Sequence, residues 1–337
     1  MRVLFPALAV VVGLIILASL GAALGLDAIF GVLVPYAAFV TFVFGFIYRI
    51  VKWAQVPVPF RIPSTCGQHK SFPWLKNRSR IDNPSSWPGV VVRMFLEIFC
   101  FRSLFRNTKA EIHYTPFSAD PPKVVYGSAK WLWLAGLAFH WSFLLIVVRH
   151  YRFFTEPIPW LVQFLESLDG FMQFGVPALY MTDGLILAAV TYLFIRRVVV
   201  PQLRYISLPA DYFPLFLIFG IVVSGMLMRY ITRIDVVGVK ELAMGWVTLH
   251  PTVPDGIGIM FYIHLLLVSV LLAYFPFSKL MHAGGVFLSP TRNLANNNRV
   301  KRHINPWNYP VKVHTYEEYE DEFRDLMKEA GIPVEKE

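Results

Sequence analysis

Four histidines carry residue types and spacings that could do chemistry. His140 lies inside an apolar run of about 131–149 and His150 ends it; His264 lies inside a run of about 257–281 and His282 ends it. An ionisable side chain at such a depth is costly, and a single one is often no more than a hydrogen bond to a neighbouring helix. Two on each of two runs argue for a bound group. If the runs are antiparallel helices, His140 meets His282 and His150 meets His264. The spacings are 10 and 18 residues, or ~15 Å and ~27 Å of helix, a mismatch that a group bridging the helices at a slant would absorb. Eighteen residues are five turns of about 3.6 residues, which predicts His264 and His282 on one face. Pro276 can kink that helix and shift the phase. Two imidazoles across an apolar slot are the axial ligands of a six-coordinate haem b, an electron-transfer centre. Two such pairs predict two haems b, an inner one on His140 and His282 and an outer one on His150 and His264. No C-x-x-C-H run occurs, which excludes covalent c-type haem. Zinc wants three or four close ligands, and these four stand too far apart. His69, His113, His250, His303 and His314 have no partner at ligand spacing and read as loop histidines.

The elements that hold these residues follow from composition. Of 337 residues, 56% are hydrophobic and 16% charged, against roughly 25% charged in a typical soluble domain. A net charge of +9 on so apolar a chain points to a membrane protein with basic loops in contact with a lipid bilayer, not to a nucleic-acid binder. Six runs, about 3–26, 28–48, 131–149, 176–195, 212–230 and 257–281, are long enough to cross a hydrocarbon core of ~30 Å. The first has no A-x-A-like cleavage site at a sensible distance and reads as a retained helix, paired with the second through a short link at Asp27. The predicted fold is therefore an all-α membrane protein of six transmembrane helices around a di-haem helical bundle. It divides into an N-terminal transmembrane hairpin (1–48), a cytoplasmic or interfacial segment (49–130), a four-helix di-haem core (131–288) and a cytoplasmic tail (289–337). Prolines make 49–130 mostly irregular. Val90–Phe105, apolar but carrying Arg93, Glu97 and Arg102, is expected to be a helix on the membrane surface. In the tail, Thr315 and Glu318 form a T-x-x-E capping box, and Gly331 and Pro333 end a helix over about 316–330. Its apolar face (Tyr316, Tyr319, Phe323, Leu326, Met327 and Ala330) suits either a partner subunit or the chain's own loops.

Lys and Arg favour the cytoplasmic side. With six spans, 26 of the 31 fall on the side that holds both termini and 5 on the other. The expected location is the cytoplasmic membrane, multi-pass, with both termini cytoplasmic. The histidine spacing resembles that of the γ subunit of respiratory nitrate reductase, and this resemblance implies a quinol oxidised near the outer haem. That quinol would need a proton acceptor or anchor there; Lys240, Glu166, Asp169 and Glu241 are the candidates, each also readable as a solvated loop charge. Haem propionates favour nearby cations: Arg149, Arg229 and Arg233 outside, Arg49, Arg197 and Lys279 inside. All six are equally ordinary membrane-boundary anchors. Cys66 and Cys100 read as free thiols.

The histidine pattern, ten apart on one helix and eighteen apart on the last, resembles the γ subunit of respiratory nitrate reductase. That family has five spans, which would map onto spans two to six. Thr65-Cys66-Gly67-Gln68, Phe101–Asn107, and the tail from Asn305-Pro306-Trp307-Asn308-Tyr309-Pro310 through Tyr316–Tyr319 are similar to the M-subunit (DsrM) family of the membrane complex linked to dissimilatory sulfite reduction. The resemblance covers nearly the whole chain. It implies a subunit that oxidises quinol, in this family menaquinol, and passes electrons through two haems b to a cytoplasmic iron–sulfur subunit resembling heterodisulfide reductase. It also implies other membrane and outer-side redox subunits, and a trisulfide on a small protein as the eventual acceptor. Two other readings stay open: a di-haem b anchor that reduces quinone for a hydrogenase or formate dehydrogenase, and a transporter or scaffold with structural histidines.

Overall fold

The computed structural model describes residues 3–56, 80–113, 121–170, 177–295 and 314–336. Thr65–Gln68 with Cys66, Asn305–Pro310, His69 and His303 lie outside the described residues.

The chain begins with α1 (Leu4–Ala23), which carries no charged residue. A π-helical turn at Ile29–Leu33 leads into α2 (Val34–Ala54), with Pro35 in its first turn. Then come α3 (Trp87–Cys100) and α4 (Arg102–Phe105). The expected single surface helix over Val90–Phe105 is thus two pieces, broken at Phe101, whose φ of 50° cannot continue a helix. The described residues between 49 and 130 also include regular elements besides these helices. Strands β1 (Thr108–His113) and β2 (Lys123–Ser128) pair antiparallel as a hairpin, Thr108 opposite Ser128.

The main helices follow: α5 (Lys130–His150), α6 (Trp160–Asp169), α7 (Met181–Val199), α8 (Pro201–Ile206), α9 (Pro209–Met226), α10 (Val236–Thr248) and α11 (Ile259–Tyr274). Short helices α12 (His282–Gly285) and α13 (Pro290–Asn293) precede α14 (Tyr316–Glu329). In α14 both halves of the Thr315/Glu318 capping box form, and Gly331 at φ +69° follows the helix end. Of its apolar face, Met327 is buried, while Tyr316, Tyr319 and Leu326 are exposed.

Among the described residues, five helical stretches are long and apolar enough to cross a membrane: Leu4–Ala23, Ile29–Ala54, Lys130–Phe153, Pro209–Thr232 and Ile259–Phe277. The chain is therefore a multi-pass membrane protein. The other expected span folds as α7, 19 residues long, but Asp183, Arg196 and Arg197 set it apart from those five.

α5 packs on α7, α7 on α9, and α9 on α11; α1 covers α9 and α11, and α2 lies along α11. The buried core runs through Leu217 on α9, Val190 on α7, Leu267 and Leu271 on α11, and Ala18 on α1. In lipid this packing holds by close contact and polar links, because hydrocarbon is as apolar as leucine. The lipid-facing rows stay open, as at Phe44 and Leu33. α5 and α11 close the circuit of four helices without extended packing between them, and the histidines sit at that seam.

Candidate functional site

The seam is built from both ends of the bundle. Toward one end the His140 and His282 rings stand 5.8 Å apart, centre to centre, with planes crossed at 83°. Toward the other, His150 and His264 stand 6.4 Å apart with planes 13° from parallel. Two imidazoles bound to one metal ion from opposite sides, each at ~2 Å from metal to nitrogen, would hold their ring centres about 6 Å apart. Both gaps fit that arrangement. Among the described residues no three His, Cys, Asp or Glu converge as a metal-binding group.

Each ring is oriented by its Nδ1. His140 Nδ1 donates to the Gly136 carbonyl at 2.7 Å, His150 Nδ1 to Ile146 at 2.7 Å, and His282 Nδ1 to Lys279 at 2.9 Å. His264 Nδ1 stands 2.9 Å from Ser224 Oγ; with the hydroxyl proton on the Ile221 carbonyl at 3.0 Å, Nδ1 is the donor of that pair. A carbonyl only accepts, so the ring proton must sit on Nδ1. That leaves the lone pair on Nε2, the form in which histidine ligates a metal and the outer bonding that ligating histidines show. Apolar rings fill the rest: Phe101 and Phe139 meet the His140 ring edge-on, at 4.9 and 5.1 Å, and Phe153 lies 5.9 Å from His150.

His282 is not placed by a continuous sixth helix. α11 stops at Tyr274, Phe275–Phe277 and Lys279–Met281 are 3-10 turns, and Ser278 between them is extended. The phase argument that put His264 and His282 on one unbroken face therefore does not hold, and Pro276 does more than kink the helix. α2 clamps the broken segment. A Cβ at Gly45 would stand 2.8 Å from Pro276 Cβ, so only glycine admits this approach, and Phe46 and Ile50 reach Gly284 of α12.

The segments after α5 and α9, expected as loops on the outer side, contain helices. α6 and α10 lie there, α10 started by Asp235, whose carboxylate accepts from Val237 N. Of the candidate proton acceptors, Asp169 is buried. It accepts from Thr182 N and Oγ1 at 2.9 and 2.6 Å, with Arg149 Nη1 at 3.0 Å. Glu166 accepts the Tyr180 hydroxyl at 2.6 Å and pairs with Arg152. Lys240 pairs with Glu156, and Glu241 is exposed. The structure thus gathers Glu166 and Asp169 at one place and leaves Lys240 and Glu241 on α10.

Sequence reasoning missed the centre of that place. Arg149, next to His150, also binds Asp183 at 2.8 Å, and Asp183 accepts the Tyr230 hydroxyl at 2.7 Å. The Tyr180 ring lies against both Arg149 and Arg229, at 3.7 and 3.9 Å. The one available signal was Asp183 at the start of an apolar run. Of the other expected propionate anchors, Lys279 and Arg197 face Asp211 at 2.6 and 3.8 Å, and Arg49 lies over Trp53 at 5.6 Å. Cys100 is a free, exposed thiol.

Residues 93–303 match the protein family described as Nitrate reductase gamma subunit. A protein of Archaeoglobus fulgidus named Hdr-like menaquinol oxidoreductase cytochrome b-like subunit is 47% identical over 288 residues, 84% of each chain. A protein of Archaeoglobus profundus with the same name is 44% identical over 279 residues, 81% of each chain.

Proposed function

The chain belongs to the nitrate reductase gamma subunit family, and from that premise we propose that it is a di-haem b electron-transfer subunit that oxidises menaquinol at the outer side of the cytoplasmic membrane. The observation that carries the proposal is the double facing of His140 with His282 and His150 with His264, each pair at the spacing of two ligands on one metal. When bound, each haem takes up and hands on one electron at a time. His140 and His282 would hold the inner haem, and His150 and His264 the outer one, within the four-helix part of the chain between about 131 and 288. The names of the relatives support menaquinol as the donor and membership of a complex with heterodisulfide-reductase-like character. The acceptor is then an iron–sulfur subunit of that type on the cytoplasmic side, alongside other membrane and outer-side redox subunits, in dissimilatory sulfur metabolism.

In this proposal α7 crosses the membrane as the sixth span. Its charges are compatible with that, because Asp183 is neutralised by Arg149 at one end while Arg196 and Arg197 sit in the last turn at the other. The 26-to-5 division of Lys and Arg supports both termini being cytoplasmic. Charge crossing between the two haems would work against or with the membrane potential, worth ~2.3 kcal/mol per 100 mV.

A pyridine haemochrome assay on the purified chain tests the proposal. Two haems b per chain, both reduced by a menaquinol analogue, are expected. One haem, or none, overturns it.

A further inference from the structure

The four histidines are not held alike. Three Nδ1 atoms donate to backbone carbonyls three or four residues earlier in their own segments, acceptors that no substitution removes. His264 alone is held from another helix, α9, by the Ser224 side chain together with the Ile221 carbonyl. That hydroxyl is buried, 4% exposed. Its single proton is committed to the Ile221 carbonyl at 3.0 Å, so toward the ring it is an acceptor. The next residue, Gly225, lets the α9 backbone come up to the ring: a Cβ there would stand 3.3 Å from His264 Cε1 and 3.7 Å from Nδ1.

We infer that Ser224 is a positioning residue for the outer centre, which sets the orientation of His264 and tunes the redox potential of the iron that His264 holds. An acceptor on Nδ1–H pushes electron density toward Nε2 and makes the ring a stronger donor to the metal. A stronger donor favours the oxidised, more positive iron, and hydrogen bonding around the ligands is one of the protein's levers on haem potential. A neutral hydroxyl oxygen is a weaker acceptor than a peptide carbonyl. Among the contacts to the four rings, Ser224 Oγ is thus the side-chain oxygen, set beside the Ile221 carbonyl that also bonds the His264 ring. Ser224 Oγ is the one of these contacts that a side-chain substitution removes. This inference rests on the di-haem reading above.

The test uses the full chain, purified in detergent, and begins with the haem content of the unmodified protein. If that protein takes up no haem b, the di-haem reading fails, and this inference with it. Given two haems, redox titration of Ser224→Ala and Ser224→Thr follows each centre separately. Ser224→Ala is expected to raise the midpoint potential of the centre held by His150 and His264 and to leave the other unmoved, with Ser224→Thr restoring the original value. Loss of the outer haem alone in Ser224→Ala, with its return in Ser224→Thr, equally supports the positioning role. Unchanged potentials in Ser224→Ala, equal shifts in both centres, or a Ser224→Thr variant that behaves like Ser224→Ala each overturn the inference while leaving the di-haem reading intact.

Discussion

His150 and His264 present their rings 13° from parallel, while the other facing pair, His140 and His282, is crossed at 83°. This difference has an electronic consequence for iron held between them. Each imidazole raises the one of two otherwise equal metal d orbitals whose lobes lie along its ring normal, and so splits the pair. Parallel rings add their effects, and crossed rings cancel. Low-temperature EPR of the oxidised protein is expected to show two low-spin signals, one rhombic and one nearly axial with a very large principal g value. His150→Ala and His264→Ala should each remove the rhombic signal, and His140→Ala and His282→Ala the other. If His140→Ala and His282→Ala remove different signals, the pairing is wrong.

The packing of α2 against the broken segment gives a prediction that separates the two centres. Gly45 admits Pro276 so closely that a Cβ would fall 2.8 Å from Pro276 Cβ. Alanine would otherwise favour a helix interior by about 0.5–1 kcal/mol over glycine. Gly45→Val is therefore expected to move the segment that carries His282 and to lower inner haem content, leaving the outer haem in place. Haem content together with the EPR signals checks this. Equal loss of both haems would show a general folding defect instead.

How much of this was legible in the sequence depends on whether the cause was local. His140, His150, His264 and His282 stand out because each is a polar residue in or at the end of an apolar run. The facing rings are those that antiparallel helices bring together by arithmetic alone. The α14 helix was legible for the same reason, since Thr315 and Glu318 lie three residues apart and cap each other. Asp183 was not legible, because Arg149 and Tyr230 come to it from 34 and 47 residues away. The break before His282 was only half legible. Pro276 announced a disturbance, but the extended Ser278 and the clamp by Gly45 depend on a helix more than 200 residues earlier. Strand β2, Lys-Val-Val-Tyr-Gly-Ser, is β-branched and aromatic, but the surrounding prolines masked it.

The buried pairs of Arg149 with Asp169 and Asp183 should make Arg149 costly to remove. Its side chain is 8% exposed, and those of the two carboxylates are 4% and 14% exposed. Truncation would leave two buried anions without their shared cation, and breaking such a pair typically costs ~3–5 kcal/mol. Arg149→Ala is expected to lower the thermal midpoint in detergent well beyond error. Arg149→Lys should recover only part, because an ammonium lacks the fork that reaches both carboxylates. A double variant, Arg149→Ala with Asp183→Asn, should be less unstable than Arg149→Ala alone. An unchanged midpoint in Arg149→Ala would mean that this network does not hold α5, α6 and α7 together.

The C-terminal helix supplies a pH dependence. Glu320 accepts the backbone N–H groups of Glu335 and Lys336, both at 2.8 Å, which fold the end of the chain back onto α14. The bond from Glu335 N is the largest of the influences that hold its carboxyl below the ordinary value of 4.5. A carboxylate whose pKa is lowered by folding stabilises the folded form at pH values above its unfolded pKa. That contribution is lost as the pH falls through the lowered folded value. The return of residues 335–336 is therefore expected to be intact at neutral pH and to release on acidification below the ordinary glutamate range. Hydrogen exchange at the Glu335 and Lys336 amides, followed as a function of pH and corrected for intrinsic rates, measures it. Glu320→Gln should weaken protection at neutral pH and remove most of its acid dependence. Protection that does not change across the carboxylate range in the unmodified chain would show that Glu320 does not hold the return.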